Sequence, residues 1–279
     1  MKIILAESAG FCFGVKRATS MAFDAAEHYH QICSLGPIIH SPQLVKKLEE
    51  KGVRVIGNVE EIPEGAVIIR SHGVTSAELD DILARELNIV DATCPFVKKA
   101  QDHAALLSRE GYVVILVGEA EHPEVQGIVS YARDGEVFVV ADRHQAEELP
   151  RKSRIGVVAQ TTQSFENLRQ VVEVCLEKSK ELRVFNTICS ATTVRQNEAR
   201  NIARQVDMML VIGGFNSANT NRLAQICLEI QPRTHHVETA EQIEPAWFVE
   251  VSTVGITAGA STPRWIIDEV MERVGLLGK

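Results

Sequence analysis

The sequence predicts an α/β fold with mostly parallel sheets, built from three similar units, and three observations support it. Apolar runs of four to seven residues alternate with helical stretches along the chain, the pattern of strands buried on both faces and joined by crossover helices. Cys12, Cys94 and Cys189 share one context: apolar run, short loop, cysteine, then a helix opening with a basic residue nearby. The residues 28 positions beyond them are His40, His122 and Ser217, and each stands just past the next strand at the opening of a helix.

The elements follow in order. Lys2 to Ala6 reads as the first strand, leading to Cys12 and then Lys16-Arg17. A strand-like segment near Cys33 precedes Gly36-Pro37-Ile38-Ile39-His40-Ser41-Pro42, where the proline suits a first helical turn because its missing N–H costs nothing there. The turn Glu61-Ile62-Pro63 introduces a strand at Ala66 to Ile69, which ends in Arg70-Ser71-His72-Gly73. Ile89-Val90 then leads to Cys94 and Lys98-Lys99.

The second pass repeats this layout. A strand at Tyr112 to Val117 runs to Gly118-Glu119-Ala120-Glu121-His122-Pro123-Glu124, and Glu148-Leu149-Pro150 introduces Arg154 to Ala159, ending in Gln160-Thr161-Thr162-Gln163. Val184-Phe185 leads to Cys189 and Arg195. In the third pass Met208 to Ile212 runs to Gly213-Gly214-Phe215-Asn216-Ser217-Ala218-Asn219, and the looser turn Ile243-Glu244-Pro245 precedes Val254 to Thr257 and Gly259-Ala260-Ser261-Thr262-Pro263. Units of about 90 residues are typical of domains, and the divisions fall at 1–93, 94–188 and 189–279.

Composition narrows the class. The 279 residues are 45% hydrophobic and 24% charged, as a folded globular protein requires. Lys and Arg number 29 against 37 Asp and Glu, a net charge of −8 with no basic block, which argues against nucleic-acid binding. Ile3-Ile4-Leu5-Ala6 is shorter than a signal-peptide core and no run approaches a membrane span, so the expected location is the cytoplasm, with no membrane partner. Six scattered cysteines without a CxxC pair do not form a disulfide framework there.

Ligands bind outside the carboxyl ends of parallel strands. Three units around a pseudo-threefold axis would bring Cys12, Cys94 and Cys189 together, ringed by two further polar motifs per unit, and helix N-termini would let an acidic protein hold a diphosphate. Three converging thiolates suggest a metal or an iron–sulfur cluster, with one coordination position left open to substrate. Cys33, Cys175 and Cys227 lie in apolar patterns and read as core. His40, His72 and His122 stand at strand ends, where they cap helices or bind phosphate; His28, His30, His103, His144, His235 and His236 carry no motif. Glu124 either complements a helix dipole or, with its pKa raised, donates a proton. Thr161, Ser217, Asn219 and Ser261 are ordinary capping types promoted by their repeat positions.

These motifs resemble those of the 4-hydroxy-3-methylbut-2-enyl diphosphate reductase family over the whole chain. The resemblance rests on Gly10-Phe11-Cys12 with Gly14-Val15, Ser71-His72-Gly73-Val74, Asp91-Ala92-Thr93-Cys94-Pro95, His122-Pro123-Glu124-Val125, Gln160-Thr161-Thr162, Ile188-Cys189 with Ala191-Thr192-Thr193, Asn216-Ser217 with Asn219, and Thr257-Ala258-Gly259-Ala260-Ser261. It implies a pseudo-threefold trefoil of α/β units around one 4Fe-4S cluster per chain, held by Cys12, Cys94 and Cys189. It also implies diphosphate contacts from His40, His72, His122, Ser217, Asn219 and Ser261. Glu124 would deliver protons to the leaving hydroxyl, and Thr161 would position that hydroxyl and Glu124. The implied reaction is a two-electron, two-proton dehydroxylation of the allylic diphosphate to isopentenyl and dimethylallyl diphosphate. Ala218 departs from the family pattern, which has a second serine there. Little chain follows Ser261 and no flavin or nicotinamide motif is present, so electrons are expected from a separate ferredoxin or flavodoxin. The competing reading is a binding protein for a phosphorylated metabolite, clamped by a metal on three cysteines.

Overall fold

The computed structural model describes residues 1–62 and 65–278. Pro63, part of the turn expected before the strand at Ala66, and the terminal Lys279 lie outside the described residues. In chain order the regular elements begin with β1 (Lys2–Leu5), α1 (Phe13–His28), β2 (Ile32–Leu35), α2 (Pro42–Glu49), β3 (Val53–Ile56), β4 (Ala66–Ile69), α3 (Ser76–Ala84) and β5 (Asn88–Asp91). Then come α4 (Pro95–Arg109), β6 (Val113–Val117), α5 (Pro123–Tyr131), β7 (Val137–Val140), α6 (Arg143–Glu147), β8 (Lys152–Ala159), α7 (Phe165–Lys178) and β9 (Ser179–Val184). The chain closes with α8 (Ser190–Ala203), β10 (Met208–Ile212), α9 (Ala218–Ile230), β11 (Thr234–Val237), β12 (Thr253–Ala258) and α10 (Arg264–Leu277).

Three four-stranded sheets result, in the orders β3-β2-β4-β5, β7-β6-β8-β9 and β11-β10-β12-β1, and every described pair is parallel. The inner strands are the continuous apolar runs, because helices cover both of their faces. All five residues of β10 are buried, whereas the edge strand β9 has only exposed and partly buried residues. Each β-α connection brings a strand back parallel to the one before, so the chain's own periodicity sets the layers.

The described residues form two compact units, one of residues 1–16, 40–45 and 190–279, the other of 17–39 and 46–189. The first holds the sheet of β1, β10, β11 and β12, and the second holds the other two sheets. β5 ends just before Cys94 and β9 just before Cys189, where the sequence suggested divisions. The chain's opening strand differs from that scheme. β1 does not join residues 32–91; it pairs with β12, Lys2 against Thr253 through Leu5 against Ile256. The reason is that β5 fills the edge beside β4, while the equivalent edge beside β12 has only β1 to complete it.

The inner registers show the repeat at residue level. Ile32 pairs with Ala66, Val114 with Gly156 and Met209 with Gly255. The small residue at this point lets a helix approach the sheet. A Cβ on Gly156 would stand 2.6 to 2.9 Å from the Leu107 side chain of α4, and one on Gly255 would meet Ile202 of α8 at 2.6 Å. Gly156→Val and Gly255→Val are each expected to cost about 1–3 kcal/mol through overpacking, read as a lower midpoint in denaturant unfolding.

Candidate functional site

Each motif cysteine closes the same backbone device. The amide of Cys94 donates to the carbonyl of Ser71 at 2.9 Å, that of Cys189 to Thr161 at 3.0 Å, and that of Cys12 to Ala260 at 3.2 Å. These acceptors lie two residues past β4, β8 and β12. For Cys94 and Cys189 the parallel ladder continues in step beyond the strands, whereas the loop after β1 holds two residues more than the facing segment before Cys12 reaches Ala260. All three are partly exposed and lie at the start of a helix. Cys94 is the residue that caps α4 ahead of Pro95, and Cys12 Sγ accepts from the Val15 amide at 3.5 Å.

Helix N-terminal N–H groups suit the negative charge of thiolates that hold a metal, so this donor set fits an iron–sulfur or other soft-metal group. The remaining cysteines contrast with them. Cys33, Cys175 and Cys227 are buried in apolar clusters. Burial raises the pKa of Cys33 and pushes Cys175 up to about 11 and Cys227 up to about 12, so they remain thiols, as their apolar sequence context indicates.

In the unit of residues 1–16, 40–45 and 190–279 the structure brings His40 and Ser261 together. The Ser261 hydroxyl donates to the His40 carbonyl at 3.1 Å, and both line a small cavity with Ser41, Gly213, Gly214 and Glu238. Ser217 caps α9, its hydroxyl accepting from the Thr220 amide at 3.4 Å. Asn219, in the first turn, is 5% exposed, and neither atom of its amide group has a partner. Such a group carries a desolvation penalty of about 1–3 kcal/mol that an arriving polar ligand removes. Ala218 is the first helical residue and buried, so its side chain offers no hydroxyl. His236, which carries no motif, contributes here as well. Its Nε2 meets the Gly213 carbonyl at 2.8 Å and its ring packs on Phe215, fixing the turn ahead of Ser217. The missed signal was its place on β11, beside that turn.

In the unit of residues 17–39 and 46–189 the remaining residues form a continuous chain of contacts. His122 caps α5, with Nδ1 accepting from the Glu124 amide at 3.1 Å; the neutral ring therefore carries its proton on Nε2. His72 meets it edge to face at 5.5 Å between centroids. The Glu124 carboxylate receives the Thr161 amide at 2.6 Å and the Thr161 hydroxyl at 2.9 Å. Thr161 in turn accepts from the Cys189 amide, and Ser71, next to His72, accepts from that of Cys94. Gln160, the first residue of the Gln160-Thr161-Thr162 motif, is buried and accepts from the Glu119 amide at 3.1 Å, holding the loop ahead of His122.

Glu124 is 2% exposed. Burial pushes its pKa up from 4.5 to about 6, and the two bonds from Thr161 oppose that rise without cancelling it. A carboxyl poised there can be protonated near neutral pH and give its proton up, which is what a general acid needs. Both of the roles that the sequence left open for Glu124 are compatible with its place in the first turn of α5; only its burial makes the acidic one chemically useful.

Comparison with known proteins adds identity to this geometry. Residues 3–275 match the LytB protein family. The 4-hydroxy-3-methylbut-2-enyl diphosphate reductase of Syntrophotalea carbinolica is 72% identical over 279 residues, spanning 100% of both chains. The protein of the same name from Geobacter sulfurreducens is 63% identical over 274 residues, spanning 98% of this chain and 97% of its own. A solved structure of (E)-4-hydroxy-3-methyl-but-2-enyl diphosphate reductase, the terminal enzyme of the non-mevalonate pathway, is 46% identical with a TM-score of 0.72, covering 99% of this chain and 100% of that one. The structure of the E-1-hydroxy-2-methyl-but-2-enyl-4-diphosphate reductase from Plasmodium falciparum is 26% identical with a TM-score of 0.92, covering 100% of this chain and 88% of that one. Sequence and fold agree over the full length, and the chain belongs to the LytB protein family, that of the 4-hydroxy-3-methylbut-2-enyl diphosphate reductases.

Proposed function

We propose that the protein reduces 4-hydroxy-3-methylbut-2-enyl diphosphate to isopentenyl and dimethylallyl diphosphate, two electrons and two protons removing the 4-hydroxyl as water. The observation that carries this reading is the buried Glu124–Thr161 pair, an acid with a pKa of about 6 bonded to a hydroxyl through which its orientation is fixed. Family membership supports the substrate. No helix among the described residues is long and apolar enough to cross a membrane. The proposal includes a cytoplasmic location and a separate ferredoxin or flavodoxin as the electron donor.

Cys12, Cys94 and Cys189 are the ligands we assign to a 4Fe-4S cluster, one per chain, which when bound supplies electrons and an open Lewis-acidic iron position. The protein's own groups do the rest. His40, His72, His122, Ser217, Asn219 and Ser261 bind the diphosphate. His122 stands at the start of α5 with Nδ1 on the Glu124 amide, and Asn219 brings a buried amide without a protein partner. The first turns of α5 and α9 add backbone N–H groups, which lets a protein of net charge −8 hold a polyanion. Glu124 holds the proton destined for the leaving hydroxyl. Thr161 keeps that carboxyl in place through both its amide and its hydroxyl.

Glu124→Gln is expected to lower turnover about 10²–10⁴-fold while iron content stays at the wild-type level; near-normal turnover would remove Glu124 from the proton path. Because the acid must be protonated, wild-type kcat/KM should fall as pH rises through about 6, and a profile without that limb would contradict the assignment. The same shift has a stability consequence of determined sign. A pKa raised on folding stabilises the protein below the unfolded value, and that contribution is lost as pH rises through the folded one. Between pH 4.5 and about 6 the wild type should therefore lose about 2 kcal/mol relative to Glu124→Gln in urea unfolding.

Replacing Asn219 separates ligand binding from folding. Asn219→Leu keeps the shape and removes the unpartnered amide, so the ligand-free protein should unfold at equal or higher denaturant, while KM for the diphosphate rises about tenfold or more. Iron and acid-labile sulfide, counted after anaerobic purification, are expected at about four each per chain, and Cys189→Ser should abolish them. Zinc, or no metal after attempted reconstitution, would favour the metal-clamped or metal-free binding protein instead.

A further inference from the structure

The basic residues that follow the cysteines take no part in the chemistry above, yet two of them hold cysteine loops. Arg17, in the second turn of α1 and five residues after Cys12, donates from Nη1 to the Thr93 carbonyl at 3.1 Å and from Nη2 to the Asp91 carbonyl at 3.3 Å. It thereby grips both ends of the turn that presents Cys94. Arg195, six residues after Cys189 on α8 and 4% exposed, donates from Nη2 to the Gly10 carbonyl, two residues before Cys12. One turn further along α8, Glu198 accepts from the Glu7 amide at 2.6 Å and the Ser8 amide at 3.0 Å. The loop from β1 to α1 is thus held at carbonyls and amides alike. Gly10 within it has φ +98°, a conformation that favours glycine and exposes the carbonyl to the guanidinium.

From these contacts we propose that Arg17 and Arg195 are positioning residues that preorganise the loops of Cys94 and Cys12, the helix after one cysteine fixing the loop of another. This rests on the cluster reading above. The forked guanidinium suits the task, since it reaches two carbonyls from one rigid plane, which a lysine cannot do. The Cys189 loop is held by neutral groups: the Thr187 hydroxyl bridges the Ala159 amide and carbonyl, and Asn186 accepts from the Ile188 amide at 3.1 Å. Lys98, four residues after Cys94, pairs with Asp91 in the turn that leads to that cysteine.

The test compares wild type with Arg17→Gln, Arg17→Lys and Arg195→Lys, with the exposed Lys99→Gln as control. The cluster is reconstituted anaerobically, its loss to a chelator followed by visible absorption, and amide exchange at Thr93 and Cys94 measured in the metal-free protein. Arg17→Gln should lose the cluster roughly tenfold faster or more, as outer-shell partners of metal ligands do. It should also exchange faster at those amides, with an unchanged melting temperature. Arg17→Lys should recover part of both effects, Arg195→Lys should lose the cluster faster than wild type, and Lys99→Gln should match wild type. Equal cluster lifetime and equal exchange in Arg17→Gln and wild type would overturn the proposal; if Arg17→Gln does not fold, Arg17→Lys carries the same comparison. A wild-type chain that takes up no iron would instead overturn the cluster reading, while the exchange data would still decide whether Arg17 orders the loop.

Discussion

In each sheet an edge strand runs parallel to an inner strand, and one more main-chain hydrogen bond past the strand ends reaches a cysteine. That bond, from Cys94 to Ser71, Cys189 to Thr161 and Cys12 to Ala260, ties the chemistry-bearing loops to the least deformable part of the fold. The acceptors are adjacent to His72, identical with Thr161, or adjacent to Ser261. For Cys94 and Cys189 a single ladder therefore registers a cysteine and a polar motif together, and for Cys12 the bond is reached through the loop after β1. A parallel sheet buried on both faces allows no slip of this register without moving its whole apolar set, so the spacing between ligand and polar group inherits the rigidity of the core.

Burial then separates groups of one chemical type into different roles. Three cysteines sit in apolar clusters and are held as thiols, with pKa values driven to about 11 and about 12 for two of them, while the three at helix starts remain partly exposed. Carboxylates divide in the same way. Several surface carboxylates form ion pairs worth little individually, such as Arg143 with Glu147 or Arg264 with Asp268. Glu124 alone of those described here is enclosed with only hydroxyl and amide partners, and its acidity moves toward neutrality for that reason. Its cost to stability is a local expense of the kind that functional groups impose on an otherwise well-packed core.

Much of the fold was legible in residue patterns. The apolar runs at Lys2 to Ala6, Tyr112 to Val117, Arg154 to Ala159 and Met208 to Ile212 lie within a residue or two of strands, because strands covered on both faces must be continuously apolar. Short edge strands such as β7 and β11 were not legible, since four half-buried residues leave no period to detect. The pairing of β1 with β12 was equally hidden: it joins residues some 250 positions apart, and which edge of which sheet is vacant is not a property of either segment alone. The helix-start cysteines with the basic residues after them, the histidines at strand ends, Gln160 and Ser217 stood out through contexts that recur, whereas His236 carries no such mark.

The sequence by itself determined the α/β class, the threefold recurrence and the residue types gathered at strand ends, because these follow from periodicity and from the local geometry of a strand leading into a helix. It also determined that Cys33, Cys175 and Cys227 belong to the core, their apolar neighbours requiring it. Only the tertiary structure decided that Glu124 is enclosed and bonded to Thr161, that His122 spends Nδ1 on a helix cap, and that Asn219 keeps an unpartnered amide. Desolvation and hydrogen-bond partnership depend on what packs against a side chain from distant segments, and no local pattern carries that information.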